Sequence, residues 1–238
     1  MTSVSYLVTC SNENETLIRL FTTLKDTLCE NDEIITLIDA PHCKIGEPSY
    51  EAWINIIGMY RLPFHSEIIE HSLDNDYGKH KNIGIENCHK EYIFSIDGDE
   101  LPPENLLGEN LHALIEANID MELFLVSRLN DFRGVTPEIA NQWGWTLTNS
   151  KIDGIAQGRP LVNWLGGDRQ GRIFKNDYPR IHWEGRLHER IQGHNKYTSL
   201  PKEEDWALYH DKSIAKQLET NLKYNKDFTI SENRGYQI

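Results

Sequence analysis

The sequence has few cysteines, a shortage of basic residues and no long apolar run, and each shortage excludes a class of protein. Four cysteines are scattered through 238 residues without a Cys-x-x-Cys pair, which predicts reduced thiols rather than a disulfide framework. Lys and Arg number 24 against 37 Asp and Glu, and the net charge of -13 argues against a broad electrostatic grip on nucleic-acid phosphates. The apolar runs fall short of a membrane span, and no basic segment precedes an apolar one at the amino terminus. We therefore expect a cytoplasmic protein with no transmembrane segment.

The rest of the composition is that of an ordinary globular chain. Hydrophobic residues make up 39% of the sequence, and the mean hydropathy is -0.56. A chain of 238 residues is long enough to bury one sizeable core, and no repeat, low-complexity stretch or linker divides it. We predict a single domain over residues 1–238.

The most informative stretch, residues 92–103, is an apolar run that ends in two carboxylates. The run predicts a strand buried on both faces, and Gly98 allows the sharp turn that separates Asp97 from Asp99. Both carboxylates then lie at the carboxyl end of a strand, where open α/β sheets bind ligands. Two carboxylates this close repel each other unless a cation lies between them, and Mg²⁺ or Mn²⁺ suits such a set. A solvated acidic turn is the plain alternative for the Asp-Gly-Asp sequence alone.

Residues 5–10 and 34–38 predict two further buried strands, joined by a helix whose leucines share one face. A strand, a helix and a strand in this order form a right-handed crossover between parallel strands. The loops after the two strands then lie side by side as a nucleotide crevice, where Asp39 accepts hydrogen bonds from a base or ribose. A strand-end turn carboxylate is an equally good interpretation of Asp39. We predict an α/β fold with a mostly parallel central sheet flanked by helices.

The second half of the chain has a different composition. Residues 132–164 are rich in Gly, Asn, Thr and aromatic residues, which predicts a long irregular segment of the kind that forms lids and binding loops. Trp143 and Trp145 stack on sugars or bases if they are exposed, and they belong to a core if they are not. A final helix follows, in which the spacing predicts three apolar residues that point inward: Ile214, Leu218 and Leu222.

Four segments along the chain carry a family resemblance. They are Asp-Tyr-Gly-Lys-His-Lys-Asn at 76–82, the carboxylate stretch at 92–103, Arg-Ile-Phe-Lys-Asn at 172–176 with Gly-Arg-Leu-His-Glu at 185–189, and Tyr-His at 209–210. In this order, over roughly residues 5–224, they resemble the family-2 glycosyltransferases of the GT-A fold, a large inverting family. The similarity is greatest to short bacterial members that decorate lipopolysaccharide cores and other surface glycans. Two positions depart from the family pattern: Lys81 replaces the usual arginine, and Ala40 follows Asp39 where a second aspartate is usual.

The resemblance implies a metal-dependent transferase, using Mn²⁺ or Mg²⁺, that moves a hexosyl or pentosyl group from a nucleotide-diphosphate sugar to a hydroxyl of a glycan or other acceptor. A UDP-sugar is the favoured donor, with residues 1–128 as the nucleotide-sugar-binding half and 129–238 as the acceptor-binding half. The predicted metal ligands are Asp97, Asp99 and His210, with Asp99 as the direct ligand and His188 as the alternative to His210. The predicted donor-binding residues are Thr9, Asn12, Asp39, Lys81, Asn82 and Asp97. The predicted acceptor-binding residues are Trp143, Trp145, Arg172, Arg186 and His188.

Inversion by direct displacement needs a base that deprotonates the acceptor hydroxyl. Glu189, in the Gly-Arg-Leu-His-Glu segment, is the first candidate, and Glu184 is the second. A structural salt bridge is the alternative for both. Retaining enzymes share the fold, so the stereochemistry stays open.

Three other functions fit parts of the sequence. A nucleotidyltransferase would use the same crevice, but the loop after its first strand is usually glycine-rich and basic, whereas residues 11–15 are acidic here. A non-catalytic carbohydrate-binding protein would use the tryptophans and would have no need of Asp97 and Asp99. A phage-type enzyme that glycosylates modified DNA bases would need a basic groove, against which the net charge of -13 counts.

Overall fold

The structure is a computed structural model, and it describes residues 2–11, 13–39, 65–149, 159–164 and 168–233. Three of the five described helices lie in the first half of the chain, whereas strands predominate in the second. The strands are β1 (Val4–Cys10), β2 (Glu33–Asp39), β3 (His65–His71), β4 (Tyr92–Asp97), β5 (Glu100–Leu101), β6 (Leu123–Arg133), β7 (Leu147–Asn149), β8 (Pro160–Val162), β9 (Arg169–Lys175), β10 (His182–Glu184), β11 (Arg190–Gln192), β12 (Tyr197–Ser199) and β13 (Ala207–Ser213). The helices are α1 (Asn14–Thr27), α2 (Tyr77–Glu86), α3 (Gly108–Ala117), α4 (Pro137–Gln142) and α5 (Ile214–Asp227).

Within the described ranges, eleven strands form one mixed sheet, and β10 pairs with β11 in a separate hairpin. The main order is β3-β2-β1-β4-β9-β6-β13-β5. Strands β3, β2, β1 and β4 run parallel to one another, and β9 is antiparallel to both of its neighbours, β4 and β6. The predicted α/β fold is confirmed, and the parallel strands align their carboxyl ends at one edge.

The core lies on both faces of the parallel strands, as the uninterrupted apolar runs predict. Every residue of β1 and β2 is buried, because helices cover both faces of this part of the sheet. The leucines of α1 point inward: Leu17, Leu20 and Leu24 are each at most 1% exposed. The same cluster includes side chains from the second half of the chain, such as Leu208.

Helix α5 contradicts the predicted orientation of two of its leucines. Ile214 is buried, but Leu218 is 43% and Leu222 is 69% exposed. The buried face instead carries Gln217 and Asn221, and the Gln217 amide donates a hydrogen bond to the Asn221 side chain at 2.8 Å. The reason is that α5 borders a polar cleft and turns its polar face toward it.

The predicted irregular segment at residues 132–164 is largely regular where it is described. Helix α4 begins after Thr136, whose side chain accepts a hydrogen bond from the amide of Ile139. Strands β7 and β8 pair antiparallel. Among the described residues, no helix has the length and apolar character that crossing a membrane requires.

A candidate active site at the carboxyl edge of the sheet

A large cleft opens where the parallel strands end. Thr9 of β1, Asp39 of β2 and Asp97 of β4 line it together, as the predicted crossover requires. Its volume, 1740 Å³, exceeds the roughly 300–1,000 Å³ of a site for one small ligand. The cleft therefore has room for two substrates at once.

Three side chains hold the Asp97 carboxylate in the cleft. Thr9 pairs with it across the parallel strands, and the Thr9 hydroxyl donates to Asp97 Oδ1 at 2.9 Å. Lys81 Nζ lies 2.9 Å from Oδ1, and Arg172 Nη2 lies 2.8 Å from Oδ2. Burial alone would raise the pKa of Asp97, but the charges of Arg172 and Lys81 hold it well below its ordinary value. Asp97 is therefore ionised, with its side chain 28% exposed.

Arg172 lies behind the carboxylates. Its side chain is 1% exposed, and Nη2 also contacts Glu100 Oε1 at 2.6 Å. Glu100 is fully buried, and its Oε2 accepts a hydrogen bond from the amide of Asp97 at 3.1 Å. Arg172 does not line the cleft, and its described ion pairs are with Asp97 and Glu100 rather than with a position open to an acceptor. The sequence pattern missed Glu100 because nothing local marks a buried carboxylate.

Asp99 faces His210 of β13 across the cleft, with Oδ2 and Nε2 at 3.2 Å. The other ring nitrogen, Nδ1, donates to Asn130 Oδ1 at 2.8 Å. Asn130 is oriented in turn, because its Nδ2 donates to Asp168 Oδ2 at 3.1 Å. Nδ1 of His210 thus carries a proton, and Nε2 faces a carboxylate oxygen of Asp99. A proton or a metal cation between Nε2 and this oxygen would hold the two atoms together.

Glu189 is connected to Asp97 through Lys81, which contacts both carboxylates. Lys81 Nζ lies 2.8 Å from Glu189 Oε1, and the ammonium also lies 4.6 Å from the centre of the Trp183 ring. Burial would lower the pKa of Lys81, but the charges of Asp97 and Glu189 raise it above its ordinary value. Lys81 therefore bridges the strand-end carboxylate and the first candidate base as a permanent cation.

The loop that carries Glu189 is held by helix α2. The amide of Tyr77 donates to the carbonyl of Arg186 at 3.0 Å, and both polar atoms of the Asn82 side chain bind the backbone of Trp183. The predicted donor contact of Asn82 thus competes with two existing hydrogen bonds that fix β10. His188, in the same loop, has a φ of 56°, which turns the chain so that Glu189 faces the cleft.

Two other residues of this segment, Glu184 and Arg186, lie away from the Asp97–Asp99 carboxylates. Glu184, the second candidate base, is exposed and does not line the cleft. Arg186 Nη1 pairs with Glu232 at 2.8 Å and its guanidinium lies over the Phe228 ring, so its described contacts anchor the segment after α5. His188 is exposed and lines the cleft edge.

An aromatic row extends outward from His210. The Phe132 ring lies 5.6 Å from the His210 ring and 5.1 Å from the Trp145 ring. Trp143 packs edge-on against Trp145 at 4.6 Å. Phe132 and Trp145 line the cleft, whereas Trp143 lies behind them. The row gives one wall of the cleft an apolar surface of the kind that stacks on a sugar ring.

The part of the cleft around Asp39 also contains His80, which the sequence did not predict as a site residue. Asp39 Oδ1 accepts a hydrogen bond from the amide of Leu73 at 3.0 Å, which ties β2 to the loop after β3. His80 lies close by, and burial next to His71 lowers its pKa to about 4, so that a neutral imidazole faces the cleft. Asn12, the remaining predicted donor residue, lies outside the described residues.

A second possible metal cluster lies at the opposite, amino-terminal edge of the sheet. Ligand atoms of Cys29, Asp32 and His112 all lie within 4.8 Å of one another. Asp32 already accepts hydrogen bonds from the amides of Val4 and Cys29 and from His112 Nε2, at 2.8–3.0 Å. These bonds satisfy both carboxylate oxygens, so the group is a hydrogen-bonded lock between β1, α3 and the turn before β2.

Comparison with known proteins identifies the fold of the chain but not its family or its substrates. No protein-family model and no curated protein matches the sequence. Among solved structures, residues 1–349 of Staphylococcus aureus TarS, a GT-A glycosyltransferase, match with a TM-score of 0.55 at 13% identity, over 88% of this chain and 60% of that one. The same TarS piece in complex with UDP-GlcNAc matches with a TM-score of 0.56 at 14% identity, over 88% and 58%. The chain thus has the GT-A fold and spans about three fifths of these TarS chains.

Proposed function

We propose that this protein is a metal-dependent glycosyltransferase that moves a sugar, with inversion, from a nucleotide-diphosphate sugar to an acceptor hydroxyl. A UDP-sugar is the preferred donor, a glycan or another hydroxyl compound is the acceptor, and the reaction belongs to the cytoplasm. The observation that carries the proposal is the Asp99–His210 pair, 3.2 Å apart beside Asp97 at the edge where this fold gathers its parallel strands.

The residues at this edge fit a divalent cation. Asp99 and His210 supply a carboxylate oxygen and an imidazole lone pair, and Asn130 fixes the ring so that Nε2 faces inward. Asp97, already bound by Lys81 and Arg172, would hold the ribose of the donor or a water next to the cation. Mn²⁺ or Mg²⁺ bound here would neutralise the diphosphate of the donor and so stabilise it as a leaving group.

Glu189 is the proposed base. It takes the proton of the acceptor hydroxyl as that oxygen bonds to the anomeric carbon, while the bond from this carbon to the diphosphate breaks. Lys81 pairs with Glu189 until then, with its ammonium 2.8 Å from Oε1. A single displacement of this kind inverts the anomeric centre. Trp145 and His188, which line the cleft, are the proposed acceptor contacts, and Trp143 supports Trp145 from behind.

A thermal-shift screen tests the proposal. UDP-, GDP-, ADP-, CMP- and dTDP-sugars are compared with and without Mn²⁺, and a ligand at a hundredfold excess over its dissociation constant stabilises the folded state by about 2.7 kcal/mol. We expect a shift with one nucleotide class, dependent on metal, and its loss in Asp99→Asn. Release of nucleoside diphosphate from the responding donor then measures turnover. A metal-dependent shift that survives in Asp99→Asn would contradict the assignment.

A further inference from the structure

Lys212 lies in the cleft, next to the Asp99–His210 pair. It follows His210 by two residues on β13, and because side chains alternate along a strand, both project from the same side. Lys212, His210 and Asp99 all line the cleft. No sequence motif marks this lysine. A lysine near the end of a strand is usually solvated, so its position alone does not suggest a site.

The surroundings of Lys212 differ from those of the neighbouring lysines. Lys81 is paired with two carboxylates, and Lys216 Nζ lies 3.6 Å from Glu13 Oε1. Among the residues that the structure describes, no hydrogen bond or ion pair involves the Lys212 ammonium. Its charge interacts with that of Asp99, but it also lies near the positive charges of Lys216 and Arg128. A partly buried ammonium without a direct partner, beside other cations, is arranged to receive an anion.

We propose that Lys212 binds the diphosphate of the sugar donor and stabilises the negative charge that grows on it as the glycosidic bond breaks. This proposal rests on the function proposed above, because it assumes that Asp99 and His210 hold a metal cation that binds the same diphosphate. The lysine then supplies a second cationic contact that needs no metal. Unlike Arg172, which is enclosed behind Asp97, Lys212 lines the cleft, so a ligand reaches it directly.

The experiment measures binding of inorganic pyrophosphate by isothermal titration calorimetry, with Mn²⁺ present, to the wild-type chain and to three variants. Lys212→Gln removes the charge, and Lys212→Arg keeps it. Lys226→Gln is the matched control, because Lys226 lies in the last turn of α5, is exposed and does not line the cleft. Binding of Mn²⁺ alone is measured for each protein, and thermal melting confirms that each is folded.

We expect Lys212→Gln to weaken pyrophosphate binding roughly 10- to 100-fold, the worth of one charge-assisted hydrogen bond, with the affinity for Mn²⁺ alone unchanged. Lys212→Arg should recover most of the affinity, and Lys226→Gln should match the wild type.

Equal pyrophosphate binding by wild type and Lys212→Gln would overturn the inference and leave the proposed function standing. Equal losses of Mn²⁺ and pyrophosphate would overturn it as well, since Lys212 would then act on the metal pocket. Failure of the wild type itself to bind pyrophosphate with Mn²⁺ would count against the proposed function.

Discussion

The amide of Gly78 donates a hydrogen bond to the carbonyl oxygen of Gly185 at 3.1 Å, so that the first turn of α2 rests directly on the loop that carries Glu189. A Cβ atom on Gly78 would lie 2.6 Å from that oxygen. Gly78→Ala should therefore push the loop away and displace Glu189. Because a misplacement of about 1 Å costs on the order of a hundredfold in rate, turnover should fall to that extent while Mn²⁺ binding is retained. Steady-state kinetics and metal titration of the same preparation check this, and unchanged turnover would mean that α2 does not position the base.

Removal of the base should separate binding from chemistry. Glu189→Gln keeps the shape of the side chain but cannot accept a proton, so turnover should fall by about 10²–10⁴ with donor affinity close to that of the wild type. Glu184→Gln tests the rival candidate and should keep its activity, because Glu184 is exposed outside the cleft. Rates and donor affinities of the two variants, measured side by side, decide between them. A large loss in Glu184→Gln alone would reverse the assignment.

The buried ion pairs of Arg172 should dominate the stability of the site. Arg172→Met leaves Asp97 and Glu100 without their shared guanidinium, and breaking such a buried pair costs about 3–5 kcal/mol of unfolding free energy. Denaturant unfolding monitored by circular dichroism measures the loss. The double variant Arg172→Met with Glu100→Gln removes one stranded charge and should recover part of it. An unfolding free energy within 1 kcal/mol of the wild type, roughly the value of a surface pair, would contradict this role.

The lock at the amino-terminal edge predicts a pH dependence of stability. The hydrogen bond to Asp32 raises the pKa of His112 above its ordinary value, despite burial. The protonated imidazole therefore stabilises the folded state. This contribution is fully present below the unfolded pKa of about 6.5 and is lost as the pH rises through the folded pKa. His112→Gln keeps a donor for Asp32 and removes the charge.

The measurement for this lock is the difference in unfolding free energy between wild type and His112→Gln at several pH values. The wild type should exceed the variant most at about pH 6, and the difference should shrink toward about pH 9. A difference that stays constant with pH would show that the hydrogen bond, and not the charge, holds the lock.

Sequence patterns predicted the elements whose environment is local and missed those that depend on distant packing. The apolar run of β4 followed by Asp97, Gly98 and Asp99 already implies a buried strand and carboxylates at its end. By contrast, the burial of Arg172 and Glu100 depends on β9 lying antiparallel beside β4, which is a pairing between residues far apart in sequence. Nothing local distinguishes that arginine from one that reaches a substrate.

Helix α5 shows the same limit in another form. Its amphipathic spacing correctly predicts a helix with two different faces. The rule that apolar faces point inward fails because the neighbouring volume is a polar cleft and not a core, so Gln217 and Asn221 are buried while Leu218 and Leu222 are exposed. Lys212 was missed for a related reason. Whether its side chain reaches the cleft depends on which side of β13 borders that cleft.

The inverted packing of α5 also decides which of its positions are free to vary as the sequence drifts. Polar replacements at Leu218 and Leu222 remove apolar surface from water and cost the fold little, although a hydropathy plot would mark both as essential. Replacement of Gln217 or Asn221 by an apolar residue leaves a buried amide without its partner, although the same plot would mark both as dispensable. Among descendants of this sequence, the amides of α5 should thus persist where its leucines are lost.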